Sequence, residues 1–200
     1  ANGGVESVSR SFTVTVTAVN DAPTLDTLSN VNINEDAAQQ TVNLSGISSG
    51  AANESQTLTV TASSSNTGLI PDPSVTYSSA DTSGSISFTP VANANGTATI
   101  TVTVNDGGGT ANGGVESVSR SFTVTVTAVN DAPTLDTLSN VNINEDAAQQ
   151  TVNLSGISSG AANESQTLTV TARSSNTGLI PDPSVTYSSA DTSGSISFTP

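Results

Sequence analysis

The sequence has no cysteine, no histidine and no lysine, and only 3% of its residues are aromatic. Without cysteine no disulfide can form, so the fold must rest on packing, backbone pairing or bound ions. Without lysine, a lysine–asparagine isopeptide crosslink is chemically impossible. With none of the three, no histidine, cysteine or lysine exists to activate a serine nucleophile. Positive charge is scarce as well: three arginines face 17 acidic residues, a net charge of −14. Such a balance disfavours nucleic acid and anionic membrane surfaces and favours metal cations. It also keeps a long polar array soluble, and both readings stand at this stage. There is no apolar run long enough to cross a membrane and no signal-peptide pattern at the start, so neither membrane insertion nor a leader is expected. The chain reads as a piece from the interior of something longer.

What is present is repetition. Residues 1–90 and 111–200 are the same sequence, offset by 110, with Ser63 replaced by Arg173 as the one difference. A unit copied this closely is a building block whose number sets length, in contrast to an enzyme built around one unique cleft. The period of 110 residues suits one independently folding domain.

Within the repeat, polar and apolar residues alternate in short runs. The alternation starts at Val31 and Ile33 and resumes over residues 39–44. Residues 57–62 place Leu58, Val60 and Ala62 on one face and threonines on the other. Val75 with Tyr77, and Ile86 with Phe88, mark two more short strands. Residues 97–104 align Ala98, Ile100, Val102 and Val104, and residues 121–127 align Phe122, Val124 and Val126. Strict alternation means one packed and one wet face, as in antiparallel sheets. About seven strands per repeat, with turn signals at 71–73, 95–96 and 106–109, predict an all-β fold of tandem Greek-key β-sandwich domains. No stretch has helical periodicity.

Asn20–Asp21–Ala22–Pro23 follows a strong strand and recurs as Asn130–Asp131–Ala132–Pro133. Proline cannot continue a central ladder, so this is the natural junction. On that phasing, 1–19 is the last strand of a preceding repeat, 20–129 is a complete sandwich, and 130–200 is a repeat lacking its last two strands.

The run Thr101–Thr134 (TVTVNDGGGTANGGVESVSRSFTVTVTAVNDAPT) resembles the end of a cadherin repeat, in which an Asp-Gly loop joins two terminal strands before an Asn-Asp-x-Ala-Pro linker. It is more similar still to the bacterial cadherin-like and immunoglobulin-like tandem repeats of large surface adhesins and secreted multidomain proteins. Asn34–Glu35–Asp36, Phe88–Thr89–Pro90 and Asn95–Gly96–Thr97 extend the likeness. The linker here is one residue shorter than the cadherin form. The resemblance implies an immunoglobulin/cadherin-like sandwich, an extracellular setting, adhesive or spacer duty, and calcium at domain junctions. The absence of cysteine fits a bacterial secreted protein.

Calcium takes six to eight oxygens with several carboxylates converging. The resemblance brings the linker, the domain-start acids and the loop before the last strand to one end of the domain. The implied metal-ligating set is therefore Asp21, Glu35, Asp36, Glu54 and Asp106, with Asp131, Glu145 and Asp146 in the next unit. The chain departs from the family pattern at Thr17 or Ala18, where cadherin linkers carry an earlier aspartate. It departs again at Ser63, Ser64 and Ser65, where relatives carry an Asp-rich loop, and Arg173 in the next copy would oppose a nearby cation. Otherwise these acids cap turns and solvate domain ends.

A glycosidase pair at Glu35 and Asp36 is excluded, since adjacent residues on an extended segment point apart while catalysis needs opposed carboxyls. Tyr77, Phe88 and Phe122 fall in phase with buried residues, which removes them as sugar-stacking platforms. The Thr-x-Thr ladders, which also suggest ice binding, are β-branched residues suited to the wet face of a strand. Asn43, Asn53 and Asn95 head glycosylation sequons of the kind that arise by chance in an Asn/Ser/Thr-rich chain. The expected function is a non-enzymatic structural or adhesive repeat, secreted or on a bacterial surface, that extends an adhesin or builds an extracellular filament. The alternative is a binding module that engages glycan or protein through its loops. Expected partners are neighbouring repeats of the same chain and, through open sheet edges, homotypic strand exchange between chains.

Overall fold

Alternating β-branched residues leave the first unit little choice but extended structure, and the computed structural model, which describes residues 3, 4 and 6–200, bears this out. Its strands are β1 Val31–Asn34, β2 Gln40–Leu44, β3 Thr59–Ser64, β4 Ser74–Thr76, β5 Gly84–Phe88, β6 Gly96–Asn105 and β7 Ser117–Thr127. The second unit contributes β8 Gln150–Leu154, β9 Ser184–Thr186 and β10 Gly194–Phe198. The one helical element among the described residues is a single 3-10 turn, Ala111–Gly113, between β6 and β7. Among them no helix is long and apolar enough to cross a membrane.

Two sheets make the first unit, ordered β1-β7-β6-β3 and β2-β5-β4. The long β6–β7 hairpin runs antiparallel from Gly96 opposite Val126 to Asn105 opposite Ser117. β1 lies parallel to β7, with Val31 opposite Val124 and Asn34 opposite Thr127. The core fills the space between the sheets: Leu44, Ile86 and Phe88 face Ile100, Val102 and Phe122, all buried. Each such side chain contributes about 1.5–3 kcal/mol by leaving water. Tyr77 is half-buried, and its hydroxyl donates to the Asp81 carbonyl at 3.0 Å.

The second unit shows what pairing does. It forms only the sheet β8-β10-β9, the counterpart of β2-β5-β4. Residues 141–144 repeat β1 letter for letter yet form no strand, and residues 169–174 repeat β3 apart from Arg173 with the same result. Their partners in the first unit are β7 and β6, and without those neighbours the backbone groups have no ladder to join. The core opens with them: Leu69 is 2% exposed and its copy Leu179 is 65% exposed. Residues 6–18 are likewise exposed and unpaired. Phe12 is 88% exposed, whereas its copy Phe122 in β7 is 3% exposed. Of the segment 1–19, Ala1, Asn2 and Val5 lie outside the described residues.

Residues 14–17 repeat the part of β7 that pairs with β1, and residues 141–144 repeat β1. Parallel pairing of the first segment of one copy with the second segment of another, Val14 opposite Val141, is the expected exchange. Phe12→Asp or Val14→Asp touches neither core and should weaken self-association about tenfold in sedimentation equilibrium. A wild-type chain that sediments as a monomer at every concentration removes the exchange.

Candidate interdomain junction

The register of β1 and β7 decides which acids meet. Because β1 runs parallel to β7, Glu35 emerges beside the C-terminal end of β7, where its N–H donates to the Thr127 carbonyl at 2.9 Å. Because β6 runs antiparallel to β7, Asp106 emerges beside the N-terminal end, where its N–H donates to the Glu116 carbonyl at 3.0 Å. The length of β7 separates the two places by about 30 Å. The acids expected together at one end of the domain therefore divide into two groups.

The first group surrounds the linker that enters the first unit. The Asp21 N–H donates to Glu54 Oε1 at 2.7 Å. The Asn20 amide donates to both Asp106 oxygens, at 3.1 and 3.3 Å, and to the Val115 carbonyl at 2.8 Å. Asp106 is buried and also accepts the Gly108 N–H at 2.8 Å. Gln56 donates to Asn20 Oδ1 at 2.7 Å. The second group surrounds the linker between the units. The Asp131 N–H donates to Glu164 Oε1 at 2.6 Å, and Gln166 donates to Asn130 Oδ1 at 2.6 Å, repeating the first linker. Gly160, at φ 109°, lets this linker lie against its loop; a Cβ there would stand 2.6 Å from the Ala132 carbonyl oxygen.

Glu35 adds what the first linker lacks. Its side chain is 4% exposed, and its two oxygens are used across the boundary. Oε1 accepts the Val129 N–H at 2.7 Å, and Oε2 accepts the Asn163 amide of the second unit at 2.8 Å. A buried carboxylate with both oxygens in charge-assisted bonds is a strong, directional tie. Asp36, in the left-handed region at φ 59°, turns away and accepts the Asn93 N–H at 2.9 Å, closing a loop of its own unit. Glu145 and Asp146, the copies of Glu35 and Asp36, are exposed.

Sequence reasoning named Glu54 but not its copy Glu164, and it missed Asn163, Gln56 and Gln166. The signal was available in the run Asn53–Glu54–Ser55–Gln56, an acid flanked by amides in a chain where only 10% of residues are charged. Among the described residues no three histidines, cysteines or acids are grouped so as to hold a metal ion. The acids do act on one another. Asp131 has its pKa raised, first by burial, then by the charges of Glu164, Asp36 and Glu35.

Residues 20–127 match the family described as the bacterial Ig domain, and the chain belongs to that family. Solved structures with a similar arrangement include domains 4 and 5 of the S-layer protein SbsC, at 21% identity and a TM-score of 0.33, covering 53% of this chain and 54% of that one. The chain thus spans about half of that S-layer fragment. They also include the titin domains Z1Z2 in complex with telethonin, at 12% identity and a TM-score of 0.38, covering 91% of this chain and 83% of that one. A third is the Bacteroides ovatus protein SGBP-B in complex with a mixed-linkage heptasaccharide, at 19% identity and a TM-score of 0.33, covering 91% of this chain and 40% of that one. The curated proteins contain no match.

The raised pKa of Asp131 has a sign. A carboxyl whose folded pKa exceeds its unfolded value adds stability below the unfolded value and loses it as pH rises through the folded one. At pH 7 its charge therefore opposes the junction. Asp131→Asn keeps the backbone N–H that Glu164 accepts and should raise the melting temperature at pH 7. The gain should vanish near pH 3, where both variants are neutral at this position; calorimetry at the two pH values checks it.

Proposed function

We propose that the chain is a structural repeat of a secreted or surface-attached bacterial protein, in which each unit adds length and is joined to the next at a fixed angle. The observation that supports this most directly is Glu35, buried at the boundary and bonded both to the linker at Val129 and to the next unit at Asn163. A flexible tether has no use for such a tie. Membership of the bacterial Ig domain family and the near-identity of the two copies point the same way. The acidic sequence, without cysteine or lysine, suits an array that packs its units without covalent staples. The finer reading is the stalk of an adhesin or the shaft of an extracellular fibre.

If the units extend, small-angle scattering should place their centres about 40 Å apart, the length of a long strand plus linker. Centres about 25 Å apart, the spacing of two such units side by side, would end the spacer reading.

Calcium at the junction is a second reading. Its support is Asp131 Oδ2 and Glu164 Oε2, buried without a hydrogen-bond partner beside Glu35 and Asp36. Among the described residues no three acids are grouped as a metal site, so this reading has the acids draw together around the ion. Millimolar calcium should then raise the melting temperature and a chelator should lower it by mass action. An unchanged melting temperature in both conditions removes calcium.

A further inference from the structure

In the first unit, β7 is paired along most of its length on one side only. β6 pairs with it from Ser117 to Val126, whereas β1 pairs with it only from Val124 to Thr127. One residue further back, Asn30 Oδ1 accepts the Thr123 N–H at 2.8 Å. Upstream of Asn30 the chain crosses to the side of β2. There the Asp26 N–H donates to the Ser45 carbonyl at 3.0 Å, and Thr24 bridges Ser48. This crossing, inside residues 20–129, is what leaves half of β7 open. The Thr123 N–H and the Thr127 carbonyl both point toward β1 and its continuation. By the two-residue period, Ser117, Ser119 and Ser121 present their N–H and carbonyl groups on that same side, with no strand beside them. In a protein of near-identical repeats, such a row is a template for a strand of another copy.

Arg120 stands in the middle of this row, and it is the sole cation of residues 20–129. It shares the inward phase of β7 with Phe122 and Val124, both buried, yet it is itself exposed. Its partner across the ladder, Val102, is 0% exposed. The guanidinium turns back to the edge, where Nη1 donates to the Ser119 carbonyl at 3.2 Å. The opposite edge of the same sheet is closed in the same way with the opposite sign. On β3 the Ser65 N–H donates to the Thr99 carbonyl, so the Ser64 N–H faces away from β6, and Asp72 Oδ1 accepts it at 2.7 Å. A base takes a carbonyl and an acid takes an N–H, each the group its side chain can bond.

We propose that Arg120 is an edge guard, which keeps Ser117–Ser121 of β7 from accepting a strand of a second copy of this repeat. A strand laid there must take the Ser119 carbonyl from the guanidinium and desolvate a charge beside Phe122. Two such edges paired antiparallel about Ser119 also bring two Arg120 side chains to a diagonal of about 7–8 Å, where like charges repel. Threonine or valine at this position, in keeping with the rest of β7, would leave an edge with no such penalty. The role holds whether or not the repeat serves as a spacer.

The test is amide hydrogen exchange followed by NMR on the 200-residue chain at rising concentration. Every chain carries Val14→Asp, so that association through residues 14–17 does not intrude. With Arg120 in place, the Ser119 and Ser121 amides should exchange at rates independent of concentration. In Arg120→Thr they should slow at least about tenfold between dilute and concentrated samples, because pairing protects them. Arg120→Lys keeps the charge and should behave as Arg120 does. The position is exposed and threonine suits a strand, so calorimetry should find all three chains folded and similar in stability. Arg120→Thr amides that ignore concentration would overturn the guard. So would slowing with Arg120 in place, or slowing in Arg120→Lys as large as in Arg120→Thr.

Discussion

The pairing of β6 with β7 is the constraint on which the rest of the structure depends. It forms the middle of the larger sheet, gives β1 and β3 their hydrogen-bonding neighbours, and supplies half of the buried core. The chain contains its own control for this statement. Residues 31–34 and 141–144 are identical in sequence, and only the copy beside β7 is a strand. Local preference for extended backbone is the same in both, so the difference is tertiary. In β-structure, a residue's propensity mostly reports how well it fits a neighbour that must already be there.

The same hairpin fixes the chemistry of the boundary. By pairing parallel with β1 and antiparallel with β6, β7 delivers Glu35 to one end of the sandwich and Asp106 to the other. Both carboxylates are buried, and both are used as acceptors for the linker at their own end. A repeat thus grips the chain as it enters and as it leaves with the same kind of bond. The cost of burying each charge is offset by N–H donors, without any side-chain cation.

Much of this was legible beforehand, and what was not has a physical cause. Period-two alternation located the seven strands of the first unit, and Phe88 and Phe122 are buried as their phase required. β3 lies two residues further along than the alternation of 57–62 suggested, because the ladder with β6 and not the apolar run sets its ends. The site was harder to read. Which acids become neighbours depends on strand direction, and parallel pairing of β1 with β7 has no local signature. Glu35 was named for its type and its place at the domain start, but its partner Asn163 lies 128 residues away, and spacing along a chain says nothing at that range.

The scarcity of positive charge also governs how such an array would fare among proteases. An enzyme that cuts after lysine or arginine finds three places in this chain: Arg10, Arg120 and Arg173. Arg120 sits within β7, opposite Val102, where the backbone is held in the ladder and cannot enter a protease cleft without unfolding the unit. Arg10 and Arg173 lie on segments that have no such partner here. In a unit whose strands are all paired, the position of Arg173 would be covered as Ser63 is by Thr101. Digestion by such an enzyme would therefore act as a proofreader, cutting where a strand is missing and sparing the completed sandwich.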